Sequence, residues 1–441
     1  MYQLTALRRN TIYLLLSNLG SAALTFLLSI LIGRELGEAG LGIYATVMAW
    51  IFPLSLIAEF GLGTLMTRDI AQDPSVSGRY IRLAVNARLW VGGGLTVLMV
   101  LGAPLVSHNA DVASGLQLSA PLILIFPLFG TYTAILRAKQ IMWPIPWLNI
   151  GMLSVQVLFT AIILQLRGQI LSTFVINTLT SLSQLLALWW IWQRWFDPVA
   201  AAWFKRIIHL IQSDHDLRVW WRAIRRWLVQ EWMILRSSAI PLLRLAWPFA
   251  LAGLLAAVQI RIGVILLERL SSPEAAGAYS ATIRFSEAVR VLPNALFGAV
   301  FPMLSTLAQE RERLYGLFGR LFLGLFGYTV VIGLIFQIGA DSILQFTYGT
   351  AFADSGMLLQ IMIWVLVPGL LRNTSTLYWY ALGRERFVNT ITVLMLGVQM
   401  VISFTIIPIS GALGAALALA IVEIVGLMIA LVPILRHWLA R

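Results

Sequence analysis

Apolar runs long enough to cross a bilayer recur along nearly the whole chain, and the short stretches between them hold most of its Arg and Lys. About 20 residues at the helical rise of ~1.5 Å span the hydrocarbon core. Twelve runs reach that length: 11–32, 41–63, 84–106, 116–136, 147–166 and 170–192, then 245–267, 277–302, 321–340, 356–381, 388–408 and 412–435. The first follows Arg8 and Arg9 but outlasts the 7–15-residue core of a signal peptide, so it is read as a retained helix. The pattern predicts an all-α polytopic membrane protein of about 12 transmembrane helices in two pseudo-symmetric six-helix bundles. The expected domains are an N-terminal bundle over 1–194, a linker over 195–243 and a C-terminal bundle over 244–441.

The halves share a weak repeat where the first helix of each turns into the second. Leu36–Tyr44 reads LGEAGLGIY and Ser271–Tyr279 reads SSPEAAGAY, so Gly42 pairs with Gly277 and Tyr44 with Tyr279 at one offset. This suggests duplication. Six helices per half would give both repeats the same orientation, related by an axis along the membrane normal, an arrangement found in transporters. A substrate site between the halves is the natural expectation.

Composition agrees with the pattern. At 59% hydrophobic and 11% charged, the chain lies far from the roughly 45–50% apolar and 25% charged of soluble domains. The formal charge of +12 reads as topology, because nucleic-acid binding calls for a basic face on a soluble domain. Of the 31 Lys and Arg, 24 are assigned to one side, Arg34, Arg167 and Arg269 to the other, and Arg261, Arg284, Arg290 and Arg372 to the interior of spans. Cytoplasmic loops retain positive charge, so both termini are expected in the cytoplasm of a cell with a bacterial-type inner membrane. Cysteine is absent, which excludes disulfides and thiolate metal sites. The linker interleaves Lys205, Arg206, Arg218, Arg222, Arg225, Arg226 and Arg236 with Trp203, Trp220, Trp221, Trp227 and Trp232. Such a mixture suits a helix lying on the cytoplasmic leaflet, and its His209, Asp214, His215 and Asp216 supply no supported metal geometry.

Charge inside hydrocarbon is costly unless it faces a partner or a cavity, which makes the four arginines within spans the most informative residues. In the eighth span Arg284, Glu287, Arg290 and Asn294 follow spacings of three, three and four and share one helix face. Guanidinium groups stay protonated and fork two hydrogen bonds onto phosphate oxygens. Arg261, Arg284, Arg290, Asn294 and Arg372 are therefore the candidate substrate-binding residues, with internal pairing or snorkelling as the structural alternative. Glu59, Glu287 and Glu423 are intramembrane carboxylates and candidates for coupling to H+ or Na+. On the first span Asn18, Ser21, Thr25 and Ser29 form a polar stripe, suited equally to sugar hydroxyls or to small-residue helix packing. No nucleotide-binding loop and no nucleophile constellation is present, so neither ATP-driven pumping nor an enzyme is expected, and no cofactor or metal is implied.

Asn10–Trp50 (NTIYLLLSNLGSAALTFLLSILIGRELGEAGLGIYATVMAW), Ala58–Gln72 (AEFGLGTLMTRDIAQ) and Tyr380–Phe387 (YALGRERF) resemble the Wzx-type polysaccharide and lipid-linked oligosaccharide flippases. Their superfamily also contains the multidrug-and-toxin extruders. The resemblance covers the whole length. It implies a V-shaped pair of six-helix bundles working by alternating access, with a cationic lumen that takes a polyprenyl-pyrophosphate-linked glycan. It also implies contact with membrane lipid and with polysaccharide-assembly proteins. Peptidoglycan-precursor flippases carry two further helices that this chain lacks, which counts against that substrate. The competing reading, a cation-coupled antiporter of small organic compounds, calls for a cavity rich in carboxylates, whereas four arginines and few acids lie in these spans. A non-transporting scaffold would not need charge at mid-bilayer.

Overall fold

The computed structural model describes residues 2–195 and 240–439, and every regular element in them is helical. The linker expected at 195–243, with its Trp and Arg residues, falls almost wholly outside the described residues. The α-helices in chain order are α1 (Tyr2–Glu59), α2 (Leu62–Gln72), α3 (Ser77–Val106), α4 (Ala110–Ser119), α5 (Leu122–Ala138), α6 (Pro144–Gln165) and α7 (Ile170–Trp195). After the linker come α8 (Ile240–Leu270), α9 (Pro273–Thr306), α10 (Arg311–Tyr348), α11 (Gly356–Trp364), α12 (Leu366–Ala381) and α13 (Glu385–Leu439).

Among the described residues, nine helical runs are long and apolar enough to cross a membrane. Two exceed a single crossing: Arg9–Gln72 has 64 residues and Glu385–Arg436 has 52, against the ~20 that a bilayer needs. Each is broken by a glycine with positive φ, Gly37 at 68° and Gly411 at 52°. Side chains with a Cβ rarely adopt that region. The breaks fall where the apolar pattern pauses, between 32 and 41 and between 408 and 412. Large apolar side chains point outward, with Ile338 91% and Ile409 83% exposed, as expected of helices whose solvent is lipid.

Helix starts follow local chemistry. Pro273 occupies the first turn of α9, and the Ser272 hydroxyl accepts from the Ala275 amide. The Asn109 side chain accepts from the Asp111 and Val112 amides at the start of α4. Between two apolar runs, the Asp73 carboxylate accepts from the Ser75 hydroxyl and amide, which holds its pKa below the ordinary value.

The chain packs as two compact units, one holding the described residues of Met1–Thr25 and Ile51–Leu254, the other those of Phe26–Trp50 and Leu255–Arg441. In the first unit, Leu62, Leu65, Met66 and Ile70 of α2 pack with Ala84 of α3, Ile135 of α5 and Trp192 of α7. Polar side chains tie its helices too: Asn149 donates to the Ser17 hydroxyl at 2.9 Å and accepts from Gln184 at 2.7 Å. In the second unit, Ala49, Val264, Leu267, Tyr279, Met362, Ile407 and Ala416 form one core, and Leu304, Phe318, Tyr378, Trp379 and Ile434 another.

The segment 26–50 joins the second unit through specific contacts. The Ser29 and Tyr348 hydroxyls lie 2.7 Å apart, and Phe26 meets Phe285 edge-on at 5.3 Å. Arg34 donates to the carbonyls of Phe346 and Thr347, satisfying acceptors in the last turn of α10. The Ser355 hydroxyl donates to Glu38 at 2.9 Å. Thr25 donates back to the Ser21 carbonyl. For Ser29 and Thr25 the polar stripe thus serves packing and local backbone bonding.

The repeat has a physical counterpart in this unit. A Cβ at Gly42 would overlap the Pro273 carbonyl oxygen and stand 2.8 Å from the Gly277 nitrogen. A Cβ at Gly277 would overlap the Glu38 carbonyl oxygen and stand 3.0 Å from the Gly42 nitrogen. Gly42 relates to Gly277 by the same offset as Glu38 to Pro273, so the contact is reciprocal: the two repeats press backbone to backbone at their equivalent glycines, as small residues allow in membranes. Gly277→Ala is expected to destabilise the protein by on the order of 3 kcal/mol or more. Gly93→Ala, with open space around its Cβ, should be neutral or mildly stabilising. Thermal unfolding of both variants in detergent measures the difference.

Candidate functional site

In the second unit α8, α9, α12 and α13 gather six charged side chains. The α9 stripe sets two of them together: Arg284 donates to Glu287 one turn on, Nη1 to Oε2, at 2.8 Å. Arg261 of α8 is in the electrostatic reach of both Glu287 and Arg284. A second pair joins α12 to α13. Arg372 forks onto Glu423, Nε to Oε2 at 2.6 Å and Nη2 to Oε1 at 3.3 Å, with the two side chains only 14% and 6% exposed.

Arg290 stands between these pairs. It feels Glu423, Arg372 and Glu287 electrostatically but makes no hydrogen bond or close ion pair with the described residues. Its position is defined by Gly369 of α12, where a Cβ would lie 3.1 Å from Arg290 Nη2 and 3.5 Å from the Glu423 carboxyl carbon. Glycine likewise makes room for Arg372, because a Cβ at Gly426 of α13 would come within 2.7 Å of its Cδ. Four guanidinium groups and two carboxylates leave a formal charge of +2 within apolar helices. The frame around them is pinned: Tyr328 of α10 donates to the Val289 carbonyl at 2.9 Å, and Ser286 donates to the Met362 carbonyl at 3.3 Å.

Of the residues expected from sequence, Arg261, Arg284, Arg290, Arg372, Glu287 and Glu423 come together. Asn294, one turn beyond Arg290, is exposed and makes no hydrogen bond with the described residues. Glu59 lies in the other unit, at the end of α1, directly before a break at which Phe60 and Gly61 both have positive φ. It occupies a slot lined by glycine, since a Cβ at Gly63 would come within 2.6 Å of its Oε1 and one at Gly130 within 3.9 Å. Among the described residues, no three His, Asp or Glu side chains gather as a metal site requires.

Arg88 is the residue that sequence reasoning misplaced. Counted with the cytoplasmic positive charge, it is instead fully buried within α3. Its Nη1 donates to the Thr131 hydroxyl, while Nε and Nη2 have no hydrogen-bond partner among the described residues, and Glu59 is the charge it feels. Its place four residues inside the third apolar run was the available signal. Thr131→Val should cost about 2 kcal/mol, the usual worth of a hydrogen bond to a buried charge. Chemical or thermal unfolding of that variant against wild type measures it.

The polysaccharide biosynthesis protein family model matches residues 7–308. No curated protein matches the chain. Among solved structures, the chain is similar to a multidrug-resistance MATE-family transporter of the MOP superfamily in its inward-facing conformation, with 13% identity over 93% of each chain and a TM-score of 0.69. It is similar to the lipid II flippase MurJ in an inward closed conformation, with 16% identity over 95% of this chain and 86% of that one and a TM-score of 0.68. It is also similar to a MOP-superfamily transporter from Pyrococcus furiosus, described as having a binding pocket of reverse polarity that suggests a different function. That match has 14% identity over 97% and 94% of the two chains and a TM-score of 0.61. The shared fold is that of membrane transporters.

Proposed function

This chain belongs to the polysaccharide biosynthesis protein family, and from that premise we propose that it is a flippase for a lipid-linked saccharide carried on a polyprenyl pyrophosphate. The observation that carries the reading is the network of Arg261, Arg284, Arg290 and Arg372 against Glu287 and Glu423. Its excess positive charge suits an anionic headgroup, because arginine remains charged in a low-dielectric site and binds phosphate oxygens bidentately. The lipid tail stays in the bilayer while the guanidinium groups hold the phosphates.

Twelve crossings are proposed, two in each kinked run and one in α8 among them, with both termini in the cytoplasm of the inner membrane. Transport proceeds by alternating access, and any change of state must come from substrate binding one state better than the other. Glu59, Glu287 and Glu423 are the candidate carriers of a coupling H+ or Na+, and proteins of polysaccharide assembly are the candidate partners.

The second reading is a cation-coupled antiporter of small organic compounds, favoured by the likeness to a multidrug-resistance transporter. An organic cation would meet a site whose formal charge already has its own sign. Replacing Arg284 and Arg290 together by Gln should reduce export of the lipid-linked glycan at least tenfold while leaving membrane insertion and yield intact. Glycan accumulation on the outer face in a complementation strain, quantified beside membrane protein level, is the measurement. Undiminished export would remove the anionic-substrate reading.

A further inference from the structure

We propose that Glu423 is an internal stand-in for the substrate's phosphate, occupying the Arg290–Arg372 site between transport events and giving way when pyrophosphate enters. The inference rests on the flippase reading above and adds a role for one residue within it.

The geometry is that of an occupied anion site. Arg372 presents its Nε and Nη2 edge, the edge that forks onto two oxygens of a carboxylate or phosphate, and both oxygens of Glu423 fill it. Arg290 approaches the same carboxylate from α9, its Nη2 and the Glu423 Oε2 lying 3.1 and 3.6 Å from the one point where Gly369 lacks a side chain. One carboxylate therefore pairs directly with Arg372 and is the first charge that Arg290 feels from α9, beyond ion-pair distance. Glu423 is 6% exposed, and among the described residues no lysine, hydroxyl or backbone amide holds it independently of the arginines. Arg284 differs, since its Glu287 partner sits on its own helix one turn away and is 38% exposed.

The arrangement has a thermodynamic consequence. Two unpaired arginines in hydrocarbon are costly, and one carboxylate makes the empty site tenable. A pyrophosphate offers more oxygens and more charge than a carboxylate, so it displaces Glu423 from the fork. An occupied site lowers the apparent affinity by the fraction of time that it is free. Binding stays weak enough for release, and the returning carboxylate closes the site behind the departing headgroup. A carboxylate that only braced the fold would do the reverse: its removal would loosen the arginines and weaken binding.

The test uses the full chain in detergent micelles or nanodiscs, with a long-chain polyprenyl pyrophosphate as probe and inorganic pyrophosphate as the tail-free control. Glu423→Gln should tighten binding of both probes by about tenfold and slow turnover of the lipid-linked substrate in proteoliposomes. Glu423→Asp, which keeps the charge but shortens its reach, should tighten binding by a smaller factor, and it supplies the answer if the Gln variant does not fold. Weaker or unchanged binding in the folded variant, with binding still lost in Arg290→Gln, would overturn the role of Glu423 and leave the flippase reading standing. Binding of neither probe by wild type or any variant would overturn the flippase reading and this inference with it. Tightening of inorganic pyrophosphate but not of the lipid-linked form would overturn the inference as well, because the displaced anion would not be the transported headgroup.

Discussion

An ionised side chain in hydrocarbon must be given a counter-charge, a set of dipoles or access to water, and most of what is particular to this protein answers that demand. Its helices are otherwise ordinary apolar rods with small residues at their crossings. Arg284 has Glu287, Arg372 has Glu423, and Arg88 has the Thr131 hydroxyl with Glu59 beyond it. Removing one partner of such a pair costs several kcal/mol, more than the pair itself contributes. The surplus of cationic groups in the second unit is therefore hard to explain as a structural device. Stability alone would favour apolar replacements, and the proposed anionic substrate would give the positive excess its use.

Glycine is the second recurring element, used for approach as much as for flexibility. Gly42 and Gly277 let two backbones touch, Gly369 and Gly426 leave space for the arginine and glutamate side chains, and Gly63 does the same for Glu59. Gly37 and Gly411 do something else, turning over-long helices into pairs of arms. At Gly42 and Gly277 a carbonyl oxygen of the other repeat stands where a Cβ would be, and at Gly63, Gly369 and Gly426 a crowding group belongs to a charged side chain.

Much of this was legible in the sequence. The apolar pattern located the breaks at Gly37 and Gly411 because a bilayer sets the length of every run, and the spacing of three along α9 placed Arg284 beside Glu287 because a helix repeats every 3.6 residues. The pairing of Arg372 with Glu423 was not legible, since 51 residues and a change of helix separate them and no periodicity reports tertiary neighbours. Arg88 was lost to the positive-charge count, which treats arginines near a span end as loop residues although α3 begins at Ser77 and carries the position into the helix. Helix α10 runs from Arg311 to Tyr348, well past the apolar stretch 321–340. Hydropathy marks the part immersed in lipid, whereas backbone hydrogen bonding continues the helix through Arg313 and Asp341 at either end. The grouping of 26–50 with the second unit rests on Ser29, Arg34 and Glu38 reaching residues about 300 positions away, contacts that no local pattern encodes.

In the proposed function the charge of the second unit selects an anionic headgroup. Equilibrium binding to the purified wild-type protein, measured side by side for a polyprenyl-pyrophosphate-linked saccharide and for lipophilic organic cations, tests it most directly. Saturable binding of the anionic lipid, weakened by competing pyrophosphate, is expected, with no saturable binding of the cations. Saturable cation binding with indifference to the anionic lipid would contradict it.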